Sequence, residues 1–263
     1  MFHVKHRRMI MAKIIAVANQ KGGVGKTTSC VNLAAALTLL GKKVLIADCD
    51  PQGNATSGFG VSKDIVPGMY EMLIKNEDVF SCIQETEFGA VIPAGRNLAA
   101  ASVELAELDD REHVLKAALQ KLYCDYDYIF IDCPPSLELL TINALAAADS
   151  VLIPMQCEYY ALEGIADLLN SIKLTKRRLN PKLDIEGIVL TMYDSRANLT
   201  RQVEDELRKY LPSKIYKTII PRSIRLSEAP SHGLPGVVYD RINRGSRAYS
   251  ELAEEFLRRQ NGS

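Results

Sequence analysis

Ten residues near the amino terminus, Asn19-Gln20-Lys21-Gly22-Gly23-Val24-Gly25-Lys26-Thr27-Thr28, constrain the fold more than any other stretch. An apolar run at 13–18 precedes them and a helical pattern at 26–40 follows. Glycines allow the backbone to turn sharply and aim successive N–H groups inward, while a helix amino terminus adds partial positive charge. Together they make an anion cradle suited to phosphates. In such a loop Lys26 reaches the β- and γ-phosphates of a nucleotide and the Thr27 hydroxyl ligates Mg²⁺. The bland alternative is a glycine-rich turn that binds nothing, and Lys-Thr placed directly after the glycines argues against it.

Short runs rich in branched apolar residues alternate with longer helical patterns along the 263 residues. Strands are expected at 13–18, 44–47, 90–92, 128–131, 151–154, 188–192 and 216–220. Helices are expected at 26–40, 103–122, 137–147, 162–179, 199–210 and 246–259. Several strands are apolar on both faces, as buried parallel strands are. The expected fold is therefore α/β, a doubly wound, mostly parallel sheet flanked by helices. Residues 12–260 are expected to form one continuous domain, preceded by a disordered extension at 1–11. Ligands of such sheets bind beyond the carboxyl ends of the strands. Two acidic residues stand there: Asp50 after the second strand and Asp132 at the end of the fourth. A carboxylate buried beside a phosphate loop needs compensation, which makes it a natural ligand for Mg²⁺ or for a water molecule.

Composition narrows the function. The 32 basic and 32 acidic residues cancel, so the whole molecule has no net attraction for nucleic acid and any such binding needs a local patch. The apolar runs are too short to span a bilayer, and no apolar core follows Lys5-His6-Arg7-Arg8 as a signal peptide requires. The six cysteines lack C-x-x-C spacing and read as reduced, buried thiols of a cytoplasmic protein. The last helix carries Tyr249, Leu252, Ala253, Phe256 and Leu257 on one stripe, with Glu251, Glu254 and Glu255 among its polar residues. Those features suit docking on a core rather than lying on a membrane.

The phosphate loop departs from the ordinary G-x-x-x-x-G-K-[ST] pattern: Gln20 replaces the first glycine, and a second lysine, Lys21, precedes Gly22 and Gly23. This K-G-G-x-G-K-[ST] form resembles the deviant Walker A motif of the ParA/MinD family of ATPases. The resemblance implies a P-loop NTPase fold that cradles ATP and Mg²⁺ with Lys21, Gly22, Gly23, Val24, Gly25, Lys26, Thr27 and Thr28. It makes Lys21 the signature lysine, which reaches across a homodimer interface to the partner's nucleotide. Asp50 resembles the switch I aspartate that positions the attacking water, so Lys21, Lys26 and Asp50 form the expected catalytic set. Asp132 resembles the Walker B aspartate, holding Mg²⁺ through water.

Longer stretches narrow the likeness: D-C-D-P-Q-G-N-A-T-S-G at 48–58, D-C-P-P-S-L at 132–137, P-M-Q-C-E-Y-Y-A-L-E-G at 154–164 and R-L-S-E-A-P-S-H-G at 225–233. They resemble the short ParA/Soj-type chromosome and plasmid partitioning ATPases. About a dozen residues precede the first strand, so the helix-turn-helix domain of larger plasmid relatives is not expected. The likeness implies hydrolysis of ATP to ADP and phosphate, stimulated by a ParB-type centromere-binding protein. Adenine is expected beside Pro221 and Ser223, where Ser223 replaces the usual asparagine and offers a single hydroxyl.

Residues 196–225 hold eight basic and three acidic side chains, a local charge of +5. From charge alone this is equally a solvated helix face. With the resemblance, Arg196, Arg222 and Arg225 are expected to bind double-stranded DNA without sequence preference, and only in the ATP dimer. That implies a nucleoid-associated protein with no stable membrane association. The competing expectation is a MinD-like ATPase that cycles on the membrane at division sites. Met1-Phe2-His3-Val4-Lys5-His6 can also be back-translated into a string containing TGTTTCACGTGAAACA. That resembles the parS-type centromere of this family, so the peptide is expected to be constrained as DNA; the alternatives are a frayed basic tail or a true start at Met9 or Met11.

Overall fold

The computed structural model describes residues 11–158 and 161–262. The expectations placed on residues 1–10 lie outside the described residues. Seven strands form one sheet: β1 (Lys13–Val17), β2 (Val44–Asp48), β3 (Gln84–Thr86), β4 (Gly89–Ile92), β5 (Tyr128–Asp132), β6 (Ser150–Gln156) and β7 (Asp184–Thr191). Their order is β3-β4-β2-β5-β1-β6-β7. All neighbours are parallel except β3, which runs antiparallel to β4 at the edge.

The helices are α1 (Lys26–Leu39), α2 (Asn54–Gly58), α3 (Met69–Ile74), α4 (Leu98–Leu105), α5 (Val114–Gln120), α6 (Leu139–Ala147), α7 (Ala161–Arg178) and α8 (Asn198–Tyr210). Three more follow: α9 (Ile224–Glu228), α10 (Gly236–Tyr239) and α11 (Arg244–Asn261). Strand side chains alternate between faces, so the apolar run of β1 serves two cores at once. Ile14 and Ala16 join the layer with Leu140, Leu145 and Leu168, whereas Ile15 and Val17 join Leu33, Leu37, Leu252 and Phe256. This is the doubly wound arrangement that alternating strand and helix patterns imply. The apolar stripe of α11 is buried as expected, with the Phe256 ring against Tyr128 and Phe130 at centroid distances of 5.1 and 6.0 Å.

Two expectations are corrected. Residues 216–220 do not form a strand; they touch β7 and its continuation through isolated bridges, Ile188 with Ile215 and Tyr193 with Pro221. The Tyr216 and Ile220 amides do bond to β7, but the Thr218 amide, which a ladder would use between them, donates instead to the Glu255 carboxylate at 2.8 Å, as the Lys217 amide does at 2.9 Å. The expected helix at 103–122 is broken between α4 and α5. Asp110 takes a left-handed φ of +52°, and the Asn143 side chain accepts from the Leu115 amide at 3.1 Å while donating to the Arg111 carbonyl at 2.7 Å. A buried amide from α6 thus fixes the start of a separate helix. The polar edge strand β3 was absent from the sequence expectation, because its Gln-Glu-Thr carries no apolar alternation.

Candidate functional site

The loop between β1 and α1 lies at the carboxyl edge of the sheet, anchored from three sides. Asn19 spans its entry: the side-chain amide donates to the Pro154 carbonyl on β6 at 2.8 Å, and its oxygen accepts from the Lys21 amide at 3.0 Å. Val24 is buried, and its carbonyl accepts from the Thr191 hydroxyl at the end of β7, 2.7 Å away. Gly25 caps α1 with φ +86°, and Gly23 sits at φ +73°. Side chains are strained in that region, so glycine is required at both turns. The loop's curvature is held by these anchors.

Lys26 folds back across the loop, its ammonium 3.1 Å from the Lys21 carbonyl. Burial lowers its pKa, while Asp132, Cys133 and Asp50 oppose that shift. The charge is therefore held in place by acids at the strand ends, poised for a phosphate. Lys21 is more exposed and its ammonium forms an ion pair with Glu158, beyond the end of β6.

Asp132 and Asp50 act on Lys26, and Asp48 lies behind them. β2 and β5 are adjacent, which sets Asp48 opposite Asp132 in register. Asp48 accepts from the Thr56 amide at 2.8 Å, the Thr56 hydroxyl at 2.7 Å and the Asp50 amide at 3.1 Å. Burial nonetheless pushes its pKa to about 6, against those hydrogen bonds. Asp50 is buried and accepts from the Gln52 amide at 2.9 Å, which closes the turn leading into α2. Asp132 is 0% exposed, and neither of its carboxylate oxygens completes a hydrogen bond among the described residues. Burial and then Asp48 drive its pKa well up, and the nearby Thr27 side chain draws it back down.

A buried carboxylate with two open oxygens, facing Thr27 and Lys26, is costly unless a cation completes it. Mg²⁺ fits, because it uses one or two protein oxygens and takes the rest from water and substrate phosphates. Among the described residues no cluster of three or more His, Cys, Asp or Glu offers an all-protein cage. Cys30, Cys49 and Cys133 are buried around the acids, and burial raises their thiol pKa values, which leaves them as neutral packing groups.

The structure thus brings together Lys21 to Thr28, Asp50 and Asp132. Three contributors were missed from sequence: Asp48, Thr56 and Glu158. The first carried a usable signal, since Asp48 and Asp50 flank one residue at a strand end. Pro221 lines a separate cavity of about 390 Å³ with Tyr193, Ser195 and Arg247. The Ser223 hydroxyl donates to the Asn243 side-chain oxygen at 2.7 Å, so its hydrogen is already committed.

Arg196, Arg222 and Arg225 are all exposed. Asp194 sits between the first two: two hydrogen bonds to Arg196, at 3.1 and 3.3 Å, hold its carboxyl below the usual range, and Arg222 adds to the effect. Arg225 pairs with Glu228 at 2.9 Å and Asp240 at 3.5 Å. On α8, Arg208 and Lys209 are neutralised by Glu204 and Glu206. Arg196 and Arg225 are thus ion-paired as well, and of the three only Arg222 forms no ion pair among the described residues.

Residues 12–185 match the family described as AAA domain. Over 248 residues the chain is 56% identical to the sporulation initiation inhibitor protein Soj of Bacillus subtilis, covering 93% of this chain and 98% of that protein. It is 50% identical to the chromosome partitioning protein ParA of Myxococcus xanthus, covering 95% and 89%. Among solved structures, cobyrinic acid a,c-diamide synthase from Mycobacterium smegmatis with bound ADP and magnesium is similar at 36% identity and a TM-score of 0.81, covering 95% and 96%.

Proposed function

The chain belongs to the Soj/ParA family of chromosome-partitioning ATPases, and on that footing we propose that it is an ATP-driven dimerising switch in DNA segregation. The observation that carries this reading is the unpartnered Asp132 carboxylate beside Thr27 and Lys26, under a glycine loop preformed for phosphates. Thr27, and Asp132 through water, would hold Mg²⁺, which supplies charge neutralisation at the β- and γ-phosphates.

The loop amides and Lys26 bind and orient the triphosphate. Asp50 orients the attacking water. The oxygen of that water bonds to the γ-phosphorus as the bond from the γ-phosphorus to the β–γ bridging oxygen breaks; one water proton stays on the phosphate, the other passes to solvent, and ADP and phosphate are released. Lys21 leaves Glu158 and reaches the nucleotide of the second subunit, so closure of the homodimer reads out bound ATP. Turnover is slow without a partner because the charge on the transferring group needs full compensation. A ParB-type centromere-binding protein supplies the stimulus. The ATP dimer doubles the arginine surface and holds double-stranded DNA without sequence preference.

The test is retention of duplex DNA at moderate salt with ATP or ADP, for the wild type, Asp50→Ala and Arg225→Ala. Retention that needs ATP, persists in the Asp50 variant and fails in the Arg225 variant supports the switch. Absence of DNA binding in every state, with ATP-dependent recruitment to liposomes instead, replaces it with a membrane-cycling ATPase.

A further inference from the structure

Among the described residues the two most exposed large hydrophobic side chains are Ile242, at 78%, and Ile224, at 76%. They lie in different segments that the fold sets side by side. Ser223 donates to Asn243 at 2.7 Å, and Arg225 reaches Asp240 at 3.5 Å, so residues 223–225 run alongside 240–243. Behind this contact Leu226 is buried, and a side chain at Gly245 would meet Leu226 at 2.6 Å and Ser223 at 2.9 Å. The two segments are therefore packed against each other beneath the surface, and both isoleucines are exposed on it. Arg222, Arg225, Arg241 and Arg244, all exposed, flank them in sequence.

Single exposed apolar residues are ordinary, but two β-branched ones on adjoining segments, each bracketed by arginines, are not a solvated face. Arginines bind phosphate and enter narrow minor grooves, and apolar side chains between them unstack base steps. We infer that Ile224 and Ile242 form an apolar wedge that enters the minor groove of duplex DNA and partly unstacks it, while the four arginines hold the flanking phosphates. The inference rests on the DNA-binding reading above and adds a mode of engagement to it. Charge complementarity selects the occupant: Glu228 and Asp240 pair with Arg225, but the four arginines outnumber these two acids, and a net positive surface around two aliphatic groups matches a polyanion with a stacked apolar interior. An anionic membrane surface is the other class such chemistry could meet, and the test separates the two. The wedge reads no base edge, so the sequence preference it brings is limited to the ease with which a step unstacks.

The experiment uses full-length protein with a non-hydrolysable ATP analogue and Mg²⁺, a short duplex carrying 2-aminopurine, and a salt titration. The variants are Ile224→Ser with Ile242→Ser, and Arg222→Ala. Wild-type binding is expected to raise 2-aminopurine fluorescence through unstacking. The double serine variant is expected to bind about tenfold more weakly, with no fluorescence rise and an unchanged salt slope. Arg222→Ala is expected to lower the salt slope by about one while keeping the fluorescence rise. Circular dichroism and nucleotide affinity of the serine variant confirm that it is folded. Unaltered affinity and fluorescence in that variant overturn the wedge but leave DNA binding standing. A wild type that binds no DNA overturns the underlying reading. Isoleucine-dependent recruitment to phosphatidylglycerol vesicles, without DNA unstacking, assigns the patch to a membrane and overturns the wedge as well.

Discussion

Asp48 and Asp132 are register partners at the carboxyl ends of neighbouring strands and both are fully buried, yet the Asp48 carboxylate accepts three hydrogen bonds and that of Asp132 accepts none among the described residues. The pair divides the work of the site. Asp48 is consumed by the protein, and Asp132 is kept open at an energetic cost. Removing an uncompensated buried carboxylate relieves that cost, so Asp132→Asn is expected to leave ligand-free stability unchanged or raised by up to about 2 kcal/mol. The same change is expected to abolish the stabilisation that ATP with Mg²⁺ confers. Thermal melts with and without the nucleotide read both effects. A ligand-free variant that melts well below the wild type would mean that Asp132 has a structural partner. The sign also sets a pH trend. Because the native pKa is raised, the folded wild type holds the proton more tightly than the unfolded chain above pH 3.8. Wild-type stability therefore falls relative to the variant as pH climbs from there through the raised native pKa.

Thr56 ties the turn after β2 to the loop after β4. Its hydroxyl donates to Asp48 at 2.7 Å and accepts from the Ala94 amide at 2.9 Å, with the whole residue buried. Thr56→Val preserves shape and removes both bonds, leaving a buried amide unpaired. Destabilisation of about 2–3 kcal/mol is expected in urea unfolding. ATP turnover is expected to drop further than ATP affinity, because the turn holds Asp50 and not the phosphate loop. Loss of affinity with turnover per bound ATP intact would show that the turn does not position Asp50.

Much of the site was legible because its signals are local. The glycines and lysines sit at fixed spacing, and Asp50 and Asp132 follow strands that their apolar runs reveal. What escaped depends on contacts between distant residues. The stretch 216–220 has every mark of a strand, but Glu255 captures two of its amides. The helical pattern of 103–122 continues across a break that Asn143 imposes from another helix. Neither Glu255 nor Asn143 stands out by type or spacing, since each is one polar residue on a helix. The arginines of 196–225 read as one basic run, whereas the fold pairs Arg208 with Glu204, Arg196 with Asp194 and Arg225 with Glu228.

Glu255 should make stability acid-sensitive. Burial by itself would raise its pKa, but the amides of Lys217 and Thr218, the Thr218 hydroxyl and Arg259 outweigh it and hold the carboxyl below 4.5. A lowered native pKa means stability that is present above 4.5 and lost as pH falls through the native value. Glu255→Gln is therefore expected to be less stable than the wild type at pH 7, by about 2 kcal/mol, because hydrogen bonds to a charged acceptor are weakened. The gap should close as the wild type is protonated below pH 4.5. Urea unfolding at pH 7, 5 and 3.5 measures it, and a gap that is constant with pH would assign the loss to packing.

The ion pair between Lys21 and Glu158 links residues 137 positions apart on the rim of the site. Both side chains are largely exposed, at 42% and 51%, so the pair is screened and adds little to folding. Its consequence is conformational, since the proposed reach of Lys21 to a second subunit's nucleotide requires this pair to break. Glu158→Gln removes the competing charge and is expected to shift dimerisation to severalfold lower ATP concentration, with an unchanged melting temperature. Lys21→Ala is expected to keep the monomer fold and ATP binding while losing the ATP-dependent dimer. Light scattering across an ATP titration distinguishes the two variants. If Glu158→Gln weakens dimerisation as Lys21→Ala does, then Glu158 helps build the closed state and does not restrain the open one.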